Sequence, residues 1–186
     1  YYSSTIKCEV GLFGGVAYGG VIKNVGVVDS YFKGIFITGG LCGYNGFGTI
    51  SNCYNASTVI GELGSASEEI YVGGICGENA GTITNCYSRG KVDGPSNDNS
   101  HVGGLCGFNN HKYITNCYYD SNIYTGSAVG KNLGTKTANV EGKTTAQFKS
   151  GEVAWLLNGR KSEGTEEAPL MWYQNINTGT LDAYPL

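Results

Sequence analysis

The chain of 186 residues has few charged residues, few prolines and no long apolar run. Only 15% of the residues are charged and 3 are prolines, whereas 31 are glycines, which is not the composition of a helical bundle. A net charge of −3, without basic residues interleaved with aromatics, argues against nucleic acid as a partner. No stretch approaches the roughly 18 apolar residues of a membrane span, so we expect no membrane-spanning segment in this chain.

Common catalytic and metal-binding motifs are also missing from the sequence. The two histidines, His101 and His111, do not form the His-Glu-x-x-His pattern of zinc peptidases. The serines form no Gly-x-Ser-x-Gly elbow, and the seven cysteines have no Cys-x-x-Cys spacing. We therefore predict a chain that is not an enzyme and that needs neither a metal nor a cofactor.

What the sequence does contain is an internal repeat, with four kernels at 10–25, 38–53, 72–86 and 102–117. Equivalent isoleucines of successive kernels lie 28, 33 and 31 residues apart, so a constant kernel alternates with a loop of variable length. Apolar residues alternate with period two inside the kernel, which predicts strands. Because one repeat cannot bury its own apolar face, stacking is expected. We predict an all-β right-handed parallel β-helix of about four repeats over 1–125.

The kernel itself carries a family resemblance. The pattern G-G-[IL]-C-G at 39–43, 73–77 and 103–107, followed by I-[ST]-N-C-Y, resembles the GLUG-motif repeat of bacterial surface proteins. That family includes adhesin-like proteins and non-catalytic parts of IgA-specific metallopeptidases. The resemblance implies an extracellular position on the bacterial cell surface and a longer exported protein that continues upstream. The first repeat departs from the pattern, with Gly14 and Val25 aligned to the two cysteines.

Three columns of identical residues, one of amides and two of thiols, are expected to be structural. Stacked amides can form a hydrogen-bonded ladder along a solenoid, an interpretation that we favour over ligand binding. Small buried thiols suit a core slot, and we favour free thiols over disulfides, which stay possible. The amide column is Asn24, Asn52, Asn85 and Asn116, and the two thiol columns are Cys42, Cys76, Cys106 and Cys53, Cys86, Cys117.

A fourth column is aromatic and consists of Tyr54, Tyr87 and Tyr118. Each tyrosine follows a cysteine of the second thiol column, so its side chain should point to the opposite face of the strand. An outward ladder of flat rings would make a binding surface for glycans or host surface proteins. The alternative, which we favour, is that the rings stack on one another and cover the sheet.

The C-terminal part has a different composition. Residues 126–143 are predicted as a connector, and 144–186 as a small α/β capping segment with one short helix and a terminal strand. The helix is expected at 146–157, where Gly151 could split it in two, and the strand at 171–174. The segment is expected to cover the open end of the solenoid.

The function predicted from these features is that of a non-enzymatic cell-surface module, in cell adhesion or in binding of glycans or host proteins. Two alternatives stay open. One is a carbohydrate-active β-helix enzyme, in which Glu68, Glu69 and Asp98 would gather in one cleft from neighbouring loops. The other is a spacer without a ligand. The aromatic cluster of Trp155, Trp172 and Tyr173 is predicted as core, with a ligand pocket as the alternative.

Overall fold

The computed structural model describes residues 8–64, 68–110, 112–134, 136–166, 168–177 and 180–186. Within them the chain coils into a parallel β-solenoid of about four turns, and every strand pairing is parallel. The predicted all-β solenoid is thereby confirmed. No helix in the described ranges has the length and apolarity that crossing a membrane would require.

Three sheets run along the solenoid, and each of the four kernel-bearing turns contributes to all of them. Sheet A contains β1 (Glu9–Val10), β5 (Ile37–Gly39), β9 (Ile70–Gly73) and β14 (Ser100–Gly103). Sheet B contains β2 (Phe13–Val16), β6 (Cys42–Asn45), β10 (Cys76–Asn79), β15 (Cys106–Asn109) and β17 (Val129–Asn132). Sheet C contains β3 (Val21–Lys23), β4 (Gly26–Gly34), β7 (Thr49–Ser51), β8 (Tyr54–Gly61), β11 (Thr82–Thr84), β12 (Tyr87–Ser88), β13 (Val92–Asp93), β16 (Tyr113–Asp120) and β18 (Thr137–Lys143).

The core of the solenoid is a stack of identical apolar layers. Ile50, Ile83 and Ile114 pair in register and are fully buried. Leu41 and Leu105 are fully buried in the same cluster. Because a single turn could cover only one side of each layer, the burial of these side chains depends on the neighbouring turns.

Two glycines of the G-G-[IL]-C-G kernel are required by the close approach of adjacent turns. A Cβ built on Gly73 would lie 2.1 Å from the Cys76 carbonyl oxygen and 2.7 Å from the Gly107 nitrogen. A Cβ built on Gly107 would lie 2.4 Å from the Val72 nitrogen. Backbone atoms cannot move away from such a clash without breaking the ladder, so these positions exclude any side chain.

The first kernel has a different register from the one that sequence alignment gives. Phe13, and not Gly14, pairs with Cys42, while Val10 still pairs with Thr38. The first corner of this turn is one residue shorter than in the second turn, and the next corner is one residue longer. The two changes in corner length cancel, so the total length of the kernel is unchanged and sequence alignment does not reveal them.

Residues 126–143, predicted as a connector, continue the solenoid. β17 pairs with β15 and β18 pairs with β16, both in parallel register. In this degenerate kernel Val129 stands opposite Cys106 and Val140 opposite Cys117. Valine is apolar and small enough to occupy the core position of a cysteine. The segment therefore adopts the solenoid fold although its sequence lacks the cysteines of the motif.

The C-terminal segment contains two helices, α1 (Thr145–Lys149) and α2 (Glu152–Leu157), instead of the single predicted helix. Thr144 and Gln147 form the expected capping box at the start of α1. Gly151 has a left-handed conformation, with φ of 83°, and separates the helices. The left-handed residue Gly159 follows α2.

The predicted terminal strand at 171–174 is not formed. Tyr173 and Leu186 exchange one reciprocal pair of backbone hydrogen bonds, of 3.0 and 2.8 Å. The Asn158 Oδ1 atom instead accepts hydrogen bonds from the backbone nitrogens of Met171 and Trp172, at 2.9 and 3.0 Å. This segment is therefore fixed to the end of α2, and its amides are not available for a strand ladder.

Candidate functional site

The predicted asparagine column forms a continuous ladder. The Nδ2 atom of each residue donates to the Oδ1 atom of the preceding turn, at 3.3, 3.4 and 2.6 Å from Asn24 to Asn116. The four residues also have left-handed backbones, with φ between 51° and 57°. Asparagine adopts this conformation more readily than other residues with side chains. The column therefore makes the corner within sheet C and uses its amides for stacking.

A second asparagine ladder was not predicted, although its signal is present in the sequence two residues after the last kernel glycine. It consists of Asn45, Asn79, Asn109 and Asn132, with amide hydrogen bonds of 2.8, 2.9 and 3.0 Å between successive residues. The oxygens of its members also accept backbone N–H groups at the next corner, as Asn79 does from Gly81 at 3.2 Å. In both ladders the side-chain amides are thus hydrogen-bonded to one another.

The two cysteine columns lie in the core of the solenoid. All six thiols are buried and free, whereas Cys8 is exposed. Cys76 Sγ donates to the Glu78 carbonyl oxygen at 3.0 Å, and Cys86 Sγ donates to that of Thr84 at 3.1 Å. Burial raises the pKa of both thiols well above the ordinary value. A thiol without thiolate character is a poor nucleophile, so these two cysteines have the properties of packing groups.

The tyrosine column points away from the solenoid core, as expected, but it is not open to a ligand. Tyr87 is fully buried and Tyr118 is 1% exposed. The rings of Tyr54 and Tyr87 stack with centroids 5.1 Å apart. The C-terminal segment lies over them, in one cluster with Phe148, Val153, Leu156, Leu157 and Trp172. The predicted binding surface is therefore an internal interface.

This interface also corrects the position of the C-terminal segment. Its contacts with the tyrosines lie along the side of the solenoid, on the outer face of sheet C, although the segment was expected to cover an end. The Tyr87 hydroxyl donates to the Pro185 carbonyl oxygen at 2.5 Å, and Asn116 Nδ2 donates to the Leu157 carbonyl oxygen at 3.4 Å. Large aromatic rings exposed on a sheet attract an apolar cover, which explains the lateral position.

Among the acidic residues of the enzyme alternative, Glu69 is already engaged by neighbouring side chains. The Glu69 carboxylate contacts the Lys131 ammonium and the Tyr71 hydroxyl and lies 3.4 Å from His101 Nε2. Its hydrogen bond with Lys131 is the main reason why the pKa of Glu69 is lowered to about 2. The described residues contain no cluster of three or more potential metal ligands. His111 lies outside the described residues.

An open groove of about 1070 Å³ lies between α2 and the segment 170–177. Of the aromatic cluster predicted as core, only Trp172 is buried, at 3% exposure. Trp155 and Tyr173 line the groove and are 40% and 72% exposed. Amide side chains make up much of the remaining wall, at Asn158, Gln174, Asn175 and Asn177. This groove combines exposed rings with polar side chains, and it is the candidate site.

The floor of the groove is held in place by hydrogen bonds to backbone atoms. Asn158 Nδ2 donates to the Trp172 carbonyl oxygen at 2.8 Å. Gln174 Nε2 donates to the carbonyl oxygens of Phe148 and Asp182, at 2.8 and 3.0 Å. Two buried atoms of the wall, Trp172 Nε1 and Gln174 Oε1, have no hydrogen-bond partner. The groove is therefore built on fixed elements.

Comparisons with known proteins agree with the repeat. The family model of the GLUG motif matches the chain twice, at residues 36–60 and 68–93. These two turns carry the GLUG motif, which confirms the resemblance at these residues. The comparison with curated proteins gave no significant match.

Among solved structures, the chain is similar to a crystal structure described as that of a candidate immunoglobulin A1 protease from Bacteroides ovatus. The TM-score is 0.66 at 19% sequence identity, and the match covers 97% of this chain. It covers 64% of the other chain, so more than a third of that protein has no counterpart here. At this identity the likeness concerns the fold.

Proposed function

We propose that this chain is a non-enzymatic surface module of an exported bacterial protein, and that it acts in adhesion by binding a glycan or a host surface protein. In this proposal the solenoid is a rigid scaffold that holds the C-terminal segment, and the groove beside α2 is the contact site. The GLUG motifs support the assignment, since the family is typical of bacterial surface proteins.

The observation that carries the proposal is the exposure of Trp155 and Tyr173 in a groove, at 40% and 72%. In contrast, the repeated asparagines, cysteines and tyrosines of the solenoid are engaged in stacking. Exposed aromatic rings beside hydrogen-bonding groups are typical of sites that bind glycans and proteins. The similar structure from Bacteroides ovatus is described as a candidate immunoglobulin A1 protease, which supports an extracellular setting for this fold.

The test is binding of the chain, multimerised on a surface or a streptavidin tetramer, to panels of glycans and host surface proteins. Saturable binding should be lost in the double variant Trp155→Ala/Tyr173→Ala. It should survive in the matched control Tyr18→Ala, which removes an 88% exposed ring from the first solenoid turn. Far-UV circular dichroism and the melting temperature check that each variant is folded.

The spacer alternative predicts the opposite result. A chain whose only task is to hold other parts of a protein apart would bind no member of either panel in any variant. Binding that persists in the double variant would also refute the groove as the contact site, because both exposed rings would then be dispensable.

A further inference from the structure

The two exposed rings of the groove are held by different elements. Trp155 belongs to α2. The other face of this helix packs against the tyrosine column through Leu156 and Val153. Tyr173 belongs to the segment 170–177, which Asn158 fixes to the end of α2. Both rings therefore stand on ordered supports, and a ligand that stacks on them need not first order a loop.

The charge of the groove is low. Glu152 and Lys161 are the charged members of its described lining. Glu152 is already engaged, since its carboxylate lies 3.2 Å from Lys143 Nζ and accepts from Gln147 Nε2 at 2.9 Å. A strongly anionic ligand would find one free cation in this lining, and a cationic ligand would find no free carboxylate. The groove is thus suited to a neutral ligand.

The polar ends of the exposed rings narrow the class of ligand further. Trp155 carries an indole N–H donor and Tyr173 a phenol hydroxyl, and both residues line the groove. A polyhydroxylated molecule offers hydrogen-bond partners to both groups, whereas an aliphatic ligand offers none. The walls are a helix and an irregular segment, so they offer no strand ladder for an extended peptide.

From these features we infer that the groove binds a neutral glycan, with Trp155 and Tyr173 as the stacking surfaces and the polar ends of these two rings as sources of hydrogen bonds. This inference rests on the proposed binding function and specifies its ligand class. The C–H face of a sugar ring packs on an aromatic ring, while its edge hydroxyls reach the polar wall. Charged groups on the glycan contribute nothing to the affinity.

The experiment uses the fact that the chain has only two tryptophans. In a ¹⁵N-labelled sample the indole N–H groups give two resonances, one from the groove surface and one from the buried Trp172. The probes are neutral oligosaccharides, namely a mannose tetramer, an N-acetylglucosamine tetramer and N-acetyllactosamine, together with sialylated N-acetyllactosamine. At least one neutral probe should move the Trp155 resonance saturably, and sialylation of a binding probe should not strengthen binding.

Variants identify the site. Trp155→Ala and Tyr173→Ala should each weaken binding at least about tenfold, which corresponds to about 1.4 kcal/mol. Trp155→Phe should retain part of the affinity, because a smaller ring remains. Tyr18→Ala should bind as the unmodified chain does. The Trp172 resonance, in its native position, reports that a variant without Trp155 is still folded.

The outcomes separate this inference from the function on which it rests. If only host proteins bind, and binding requires the two rings, the glycan inference is overturned and the proposed function stands. If the sialylated probe binds and no neutral probe does, the neutral class is wrong. If neither a glycan nor a host protein binds, both the inference and the proposed function are refuted.

Discussion

Removing one asparagine from the middle of the second asparagine ladder, which consists of Asn45, Asn79, Asn109 and Asn132, should destabilise the whole solenoid. Asn79 is fully buried in the central turn. Its Oδ1 atom accepts from Asn45 Nδ2 at 2.8 Å and from the Gly81 nitrogen at 3.2 Å. Its Nδ2 atom donates to Asn109 Oδ1 at 2.9 Å. Truncation to alanine deprives these three buried groups of a partner at once.

The size of the effect follows from the cost of an unsatisfied buried group, which is about 1–3 kcal/mol. Asn45 Nδ2 keeps a weaker contact with the Thr82 carbonyl oxygen, at 3.4 Å, so its loss is at the lower end. We therefore expect Asn79→Ala to lower the free energy of unfolding by about 3–5 kcal/mol. This is a large share of the roughly 5–15 kcal/mol that stabilises an ordinary domain.

The matched control is Asn132→Ala, at the exposed end of the same ladder. Asn132 also accepts an amide hydrogen bond, from Asn109 at 3.0 Å, but water can replace it there. The expected loss is about 1 kcal/mol or less. Urea unfolding, followed by circular dichroism and by tryptophan fluorescence, measures both variants. If the two free energies of unfolding agree within about 1 kcal/mol, burial of the ladder does not stabilise the solenoid as argued.

The buried thiols, the covered tyrosines and the asparagine corner each give a further expected outcome. A thiol reagent should modify one cysteine rapidly in the native chain, the exposed Cys8, and none in Cys8→Ser. Burial raises the pKa of Tyr118 from 10.0 to about 12, so the stability that its neutral phenol contributes below pH 10 should be lost between pH 10 and 12. Tyr118→Phe should reduce this alkaline loss in a melting-temperature series. Asn85→Gly should be more stable to urea than Asn85→Ala by about 1–2 kcal/mol, because only glycine accepts the φ of 51° without strain.

The fold was predictable because its signal is repeated. Each kernel carries the same glycines, isoleucine and asparagine, so an error in one copy is corrected by the others. The exception is the first copy, where two compensating changes of length put Phe13 in the slot assigned to Gly14. Alignment by total spacing cannot detect such a pair of changes. The backbone hydrogen bonds between neighbouring strands determine the register.

The fifth kernel was missed because its two core slots contain Val129 and Val140 in place of cysteine. What remains of the motif is Gly130, Asn132 of the second ladder, and Asn139, which occupies the position equivalent to Asn116. Asn139 has the left-handed φ of 54° of the corner column. A search for the asparagine spacing, instead of the cysteines, would have found this turn. The residues that define the fold here are those that backbone geometry requires.

The candidate site was harder to predict, because it lies where nothing repeats. Periodicity places the tyrosines on the outer face of sheet C, but it does not tell what covers them. The cover depends on non-local contacts such as the hydrogen bond from Tyr87 to the Pro185 carbonyl oxygen, between residues 98 positions apart. The same contacts turn Trp172 inwards and leave Trp155 and Tyr173 exposed. Composition alone does not distinguish these three rings.

The ladders also explain why ligand binding should fall to the C-terminal segment. An asparagine that turned towards a ligand would leave the amides of two neighbouring turns unsatisfied, at about 1–3 kcal/mol for each buried group. A ligand of ordinary affinity would lose much of its binding free energy to this cost. The groove beside α2 has no such penalty, since the exposed rings of Trp155 and Tyr173 take no part in either ladder and can contact a ligand without breaking a hydrogen bond of the solenoid.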